Sequence, residues 1–185
     1  MIMAARIGLL LQAMLALTIT AAGSPQVKEY LTPKEVERIQ DAQAIDERVK
    51  IYMDAAELRL KTAEERLTGK ESQPGDPLEF FSIEDLLDGY YSCLHSVMIN
   101  LDDVFGKPGA DTEKLKKALK SLQDTTERAE KDLAVLKKMA EEKRLEEVWN
   151  RVNQSLDITR GARDGAELGL SRLSGDKEKP ARPPQ

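Results

Sequence analysis

The chain has 185 residues, of which 33% are charged and only 4% aromatic, and its formal net charge is −5. One domain is the default at this size, and the composition is that of long, solvated helices and argues against an all-β fold. The acidic balance argues against non-specific binding to nucleic acid or an anionic membrane, which needs a basic footprint.

The N-terminus reads as a secretory signal. Met1 to Arg6 carry one positive charge and no negative one, and Ile7 to Gly23 follow without a formal charge, ending in small residues. This is the order of a basic start, an apolar middle and a small-residue cleavage site. A membrane span needs roughly 20 apolar residues, and this stretch is shorter and contains Gln12, Thr18 and Thr20. Residues 1–23 are therefore expected to be a signal peptide, cut after Ala22 or Gly23, with a retained N-terminal anchor as the alternative. No Cys lies near the cleavage region to carry a lipid.

A first helix is predicted at about 33–67. Thr32 caps it, Pro33 takes the first position and Glu35 completes a capping box. Val36, Ile39, Ala42, Ile45, Val49, Tyr52, Met53, Ala56, Leu60, Ala63 and Leu67 then recur at spacings of mostly three and four, one stripe facing a core. No Gly or Pro interrupts Lys34 to Thr68, so the expected rod is about 50 Å long. Pro74, Gly75 and Pro77 place residues 68–81 in a loop. Phe80 and Phe81 are expected to plug one end of the core.

A second helix at about 83–105 starts from Ser82, with Asp85 three residues on. Its apolar set, from Ile83 through Leu94 to Phe105, covers a wide arc, which predicts the most buried helix. Gly106-Lys107-Pro108-Gly109 ends it. A third, at about 112–142, keeps a heptad seam from Leu115 to Ala140, expected to pack against the second helix. The apolar pattern then changes phase, since Leu145 lies roughly 140° from Ala140 on a helical wheel. A turn is therefore placed near Glu141–Arg144, a kinked continuous helix being the alternative. The fourth helix runs at about 145–170, inside a bundle domain of residues 24–173. Residues 174–185 hold three prolines and almost no apolar group, the composition of a disordered tail.

No constellation announces catalysis. His95, the single histidine, shares a helix column with Glu84, Asp88 and Asp102, but Asp88 and Asp102 lie seven residues away, too far to share one ion with it. Met53 and His95 are the one pair worth naming for haem, and methionine at helical spacing is more often core filler. Cys93, the only cysteine, reads as a small apolar residue, with intermolecular pairing as the minor alternative. It stands two residues from His95, so the two point apart on a helix. The expectation is no enzyme, no cofactor and no metal. Asn153-Gln154-Ser155 matches a glycosylation acceptor by pattern only. Gly161, Gly165 and Gly169 recur every four residues in the last helix. They are candidate helix-packing positions, or else they weaken a fraying end at about 1 kcal/mol each.

The run LTPKEVERIQDAQAIDERVKIYMDAAELRLKTAEERL, with GDPLEFFSIEDLLDGYY and VNQSLDITRGARDGAELGL, resembles uncharacterised exported helical proteins of acidobacterial type over roughly Tyr30 to Leu170. The resemblance implies a bacterial, exported, all-helical protein, and it assigns no activity and no functional residue. The combined expectation is an all-α, antiparallel up-down four-helix bundle with long helices and coiled-coil-like packing. It would be exported to the periplasm or outside the cell, or held on the inner membrane if the N-terminal segment is retained. Its expected role is a non-enzymatic binding or structural module of the bacterial envelope, with a ligand, metal or haem carrier as the alternative. Its expected partner is a protein or a second copy meeting its helical surfaces, not nucleic acid. Helices one and three, both near 50 Å, would overhang the shorter pair, which motivates self-association or partner binding through a protruding helical end.

Overall fold

The structure, a computed structural model, describes residues 29–175. The expected signal peptide at 1–23 and the tail beyond Gly175 lie outside the described residues. Five helices follow in order: α1 (Pro33–Asp41), α2 (Ile45–Leu67), α3 (Ile83–Val104), α4 (Thr112–Glu142) and α5 (Glu146–Gly175). The described residues contain no strand, so the domain is all-helical and built by packing helix on helix.

The first correction concerns the single helix expected at 33–67, which is two helices. Thr32 and Glu35 do form the reciprocal capping box: the Glu35 amide donates to Thr32 Oγ1 at 3.3 Å, and the Thr32 amide to Glu35 Oε2 at 2.7 Å. The helix stops at Asp41, however, and Ala42 and Ala44 adopt extended backbone. The cause is Arg59, which is fully buried on α2. Its Nη1 and Nη2 donate to the two carboxylate oxygens of Glu35 at 2.9 and 2.8 Å, and its Nε donates to the Tyr30 carbonyl at 2.9 Å. In a continuous helix Glu35 would lie about 36 Å from Arg59. The chain must fold back for the pair to form, and α1 therefore lies antiparallel along α2. Arg48 closes the bend by donating from Nη2 to the Ala42 carbonyl at 3.1 Å.

The break also removes the expected overhang of helix one. With 23 residues, α2 matches the 22 of α3, at about 34 Å each. The longer pair is α4 and α5, with 31 and 30 residues. Cross-helix pairs give the directions. Arg48–Asn100 and Arg59 against Gly89 set α2 antiparallel to α3. Gln123–Glu167 and Glu130–Arg160 set α4 antiparallel to α5. Lys117–Asp46 and Arg128–Glu57 set α2 parallel to α4.

A second correction concerns the partner of the heptad seam. α4 packs against α5 and α2, whereas α3 and α4 meet only marginally. The seven-residue connection 105–111 reaches about 20 Å, enough to carry the chain past a neighbouring position. A third correction concerns the plug. Phe80 is 82% exposed, and Leu78 takes the place expected of it, fully buried with Ala63 and Leu86 while Phe81 packs alongside. Arg66 Nη2 donates to the Leu78 and Glu79 carbonyls and pulls the loop inward at Leu78.

α4 and α5 are separate helices. Their turn is a Schellman motif without glycine: the Arg144 amide donates to the Glu141 carbonyl at 3.0 Å and the Leu145 amide to the Ala140 carbonyl at 2.9 Å. Arg144 takes φ 55° to allow it, a left-handed conformation in which a side chain costs about 1 kcal/mol. At its far end α5 continues to Gly175, past the expected end near residue 170.

Arg144→Gly relieves the left-handed strain and raises unfolding free energy by about 1 kcal/mol in urea titrations. For Glu35, burial alone would raise the carboxyl pKa, but the hydrogen bonds from Arg59 and Thr32 outweigh it and hold the pKa below its ordinary 4.5. Because the folded pKa is the lower one, the stabilisation is complete above about pH 5 and is lost as pH falls through the folded value. Acid titration of folding therefore shows a loss at pH below the ordinary carboxyl value of 4.5 that is missing in Glu35→Gln. That variant costs about 3 kcal/mol at neutral pH, because it leaves the buried guanidinium without its counter-charge.

Candidate functional site

The residues singled out from sequence do not converge. Met53 is buried in the core, while His95 is exposed on the flank of α3 and stacks on Tyr91, with ring centroids 6.3 Å apart. Asp88 of the His95 column pairs with Arg151 of α5 at 3.0 Å. Burial raises the Asp88 carboxyl pKa against the opposing pull of Arg151. No group of three His, Cys, Asp or Glu side chains that could hold a metal ion occurs among the described residues. Cys93 is a free, fully buried thiol on the inner face of α3, and burial pushes its pKa up to about 12. The nucleophilic form is the thiolate, so this sulfur is chemically quiet in the folded chain and out of reach of a second copy. Asn153 lies within α5, where its Nδ2 donates to the Trp149 carbonyl at 2.9 Å.

Gly161, Gly165 and Gly169 of α5 occupy different surroundings. A Cβ on Gly169 would stand 3.0 Å from Leu119 Cδ1 and 3.5 Å from Phe105, so this glycine lets α4 and the end of α3 approach closely. A Cβ on Gly161 or Gly165 would meet nothing within 4 Å among the described residues. Gly165 instead borders a cleft of about 170 Å³ between α3, α4 and α5, floored by Met98, Leu101, Phe105, Leu119 and Leu122. Asp102 and Arg172 stand at its rim beside Leu168, which is 53% exposed. The cleft forms where α3 ends while α5 continues, and where α5 contributes glycine and alanine in place of larger side chains. An apolar hollow of this size accepts a small hydrocarbon group.

The buried polar cluster around Arg59 was not visible as a site in the sequence. Besides its bonds to Glu35 and Tyr30, Arg59 donates from Nη1 to the Ala55 carbonyl at 2.7 Å. Gly89 of α3 makes room for it, since a Cβ there would stand 3.0 Å from both Arg59 Cδ and Nε. Tyr30 extends the clasp through its hydroxyl, 2.8 Å from Ser96 Oγ on α3. Two sequence signals mark the cluster: an arginine four residues from both Ala55 and Ala63 inside an apolar arc, and a glycine three residues after the buried Leu86. A second buried polar contact, Tyr90 hydroxyl to Thr159 Oγ1 at 2.6 Å, ties α3 to α5.

Comparison with known protein families, with curated proteins and with solved structures returns no match.

The glycines give a paired prediction. Gly89→Ala forces a methyl group against a guanidinium pinned by five hydrogen bonds, and it lowers stability by about 1–2 kcal/mol despite the better helix propensity of alanine. Gly165→Ala adds a methyl group in open space and raises stability by about 1 kcal/mol. Urea unfolding of the two variants side by side checks both signs.

Proposed function

We propose that the chain is an exported, non-enzymatic protein of the bacterial envelope that works by binding, through helical surfaces, to a protein partner or to a second copy. In this reading the four long helices are a four-helix bundle with coiled-coil-like packing, up-down in chain order, and α1 is a clasp laid along α2. The antiparallel pairs α2–α3 and α4–α5 and the heptad seam of α4 support that arrangement, while the neighbours α2 and α4 run parallel. Export is supported by the charge and apolar order of residues 1–23, and the bacterial assignment by the resemblance of residues 30–170.

The observation that carries a binding role is how the buried reactive groups are used. Arg59 and Glu35 are consumed by each other and by backbone, and Cys93 is held as a thiol by burial. What faces solvent is a set of charged helix faces carrying exposed Leu58, Ile99, Val135 and Leu168. No described helix is long and apolar enough to cross a membrane. If residues 1–23 are cleaved, the protein resides in the periplasm or outside the cell; if they are retained, they form a single anchor to the inner membrane.

A second reading, a carrier of a small apolar ligand, is favoured by the cleft at Met98, Leu119 and Gly165. The first test is N-terminal sequencing of the chain from fractionated cells. A start at Gly23 or Ser24 in the exported fraction is the expected result, and an intact Met1 in the cytoplasm overturns export. The carrier reading is tested by titrating hexanol, which shifts the Met98 methyl resonance if the cleft takes it; no shift in the protein, or the same shift in Gly165→Leu, overturns that reading.

A further inference from the structure

The contacts that hold α1 against α2 are ones that a second copy of this chain can supply equally well. We propose that the chain forms a reciprocal dimer by exchanging α1. The bend at 42–44 straightens, residues 33–67 become one continuous helix, and Glu35 of each copy enters the Arg59 site of the other. The proposal rests on the reading of the chain as a self-associating helical module, and it names the surface and the partner.

Three observations carry it. The bend is Ala42-Gln43-Ala44, residues that favour helix, with no Gly or Pro to require a break. The apolar stripe continues through it in phase, at Ile39, Ala42, Ile45 and Val49. The bend is thus imposed by the clasp and not by local sequence, and a straight helix is the local preference. Second, the Arg59 pocket must be filled, because a buried guanidinium without its carboxylate is strongly destabilising. A straight helix carries its own Glu35 about 36 Å away, so a second copy must fill the pocket.

The third observation is the register. Contacts across the hairpin join residue 35 with 59, 38 with 54 and 42 with 48, and the numbers in each pair total between 90 and 94. Two straight helices that keep this register are antiparallel about a two-fold axis at positions 45–47, where each residue meets its own copy. This is a closed, isologous interface. Straightening also passes the Ala42 carbonyl from Arg48 Nη2 to the Asp46 amide, as helix geometry requires, so this acceptor keeps a donor in both forms.

The test uses single-cysteine variants of the full chain in a Cys93→Ala background. Arg38 and Asp54 are both well exposed and face each other across the hairpin, with Nη2 and Oδ2 3.9 Å apart. Arg38→Cys and Asp54→Cys proteins are unfolded together in urea, refolded at high concentration and treated with a short bis-maleimide. Exchange yields a covalent dimer from the mixture and none from either variant alone. Adding Ala44→Pro to both chains cuts that yield at least tenfold, because proline there blocks the straight helix while suiting the extended bend. Sedimentation of the unmodified protein shows a dimer that grows with refolding concentration. Monomers at every concentration, equal crosslinking of each variant alone, or a dimer indifferent to Ala44→Pro overturns the exchange. N-terminal sequencing decides export independently, so the two failures are distinguishable.

Discussion

The guanidinium of Arg59 is the constraint around which the fold is arranged. A fully buried arginine must have its donors occupied and its charge matched, since either omission costs several kcal/mol. No carboxylate on the neighbouring turns of α2 or α3 does this. The match comes from Glu35 on a segment that precedes the bundle, with the Tyr30 carbonyl completing the set. From that requirement follow the reversal of α1, the glycine at position 89 and the matched lengths of α2 and α3. Glu35 has a double role, because the carboxylate that receives Arg59 also closes the capping box with the Thr32 amide. One side chain therefore starts the helix and docks it.

What was legible in the sequence was what is decided locally. The caps at Thr32 and Ser82 depend on residues three apart, and both formed. The turn between α4 and α5 was marked by a phase change in the apolar pattern, although no glycine stands there and Arg144 takes the left-handed conformation in its place. What was not legible depends on partners far along the chain. Nothing near Ala42 signals a break, because its cause lies at Arg59. The seam of α4 shows that it needs apolar neighbours, but periodicity does not say which helices supply them, and it met α5 and α2. The Phe80–Phe81 pair read as a plug by composition, yet Arg66 drew Leu78 inward. For the candidate site the same division holds. The spacing of Gly161, Gly165 and Gly169 was visible, while only the packed structure separates a glycine that Leu119 crowds from two that face open space.

The distribution of charge completes the contrast between interior and surface. Cross-helix ion pairs such as Arg128–Glu57, Arg151–Asp88 and Arg160–Glu130 lie at solvent-exposed edges, where water and salt screen them and each contributes little. They fix register more than they stabilise. Glu130 receives both Arg160 and Arg163, and the hydrogen bond from Arg160 leads in holding its carboxyl pKa low. The α4–α5 pair is thereby aligned along a polar edge as well as a buried seam, which leaves its longer ends to frame the cleft.

The bend at Ala42–Ala44 sets a weak local preference against a strong distant one. Three helix-forming residues held in an extended bend forgo a few tenths of a kcal/mol each, whereas emptying the Arg59 pocket costs about 3–5 kcal/mol. The distant term wins, and the bend persists in a single chain for as long as the pocket has no other source of a carboxylate. A second copy removes the conflict, since the pocket stays filled and the bend becomes helix. What opposes it is the free energy of association, roughly 4–15 kcal/mol at standard concentration before new contacts are counted. Because the clasp contacts are the same in both forms, they cancel from the comparison. The balance then rests on the three residues of the bend and on concentration. These are small terms, so the choice between one copy and two is set at the bend, where the sequence leaves the chain free to be straight.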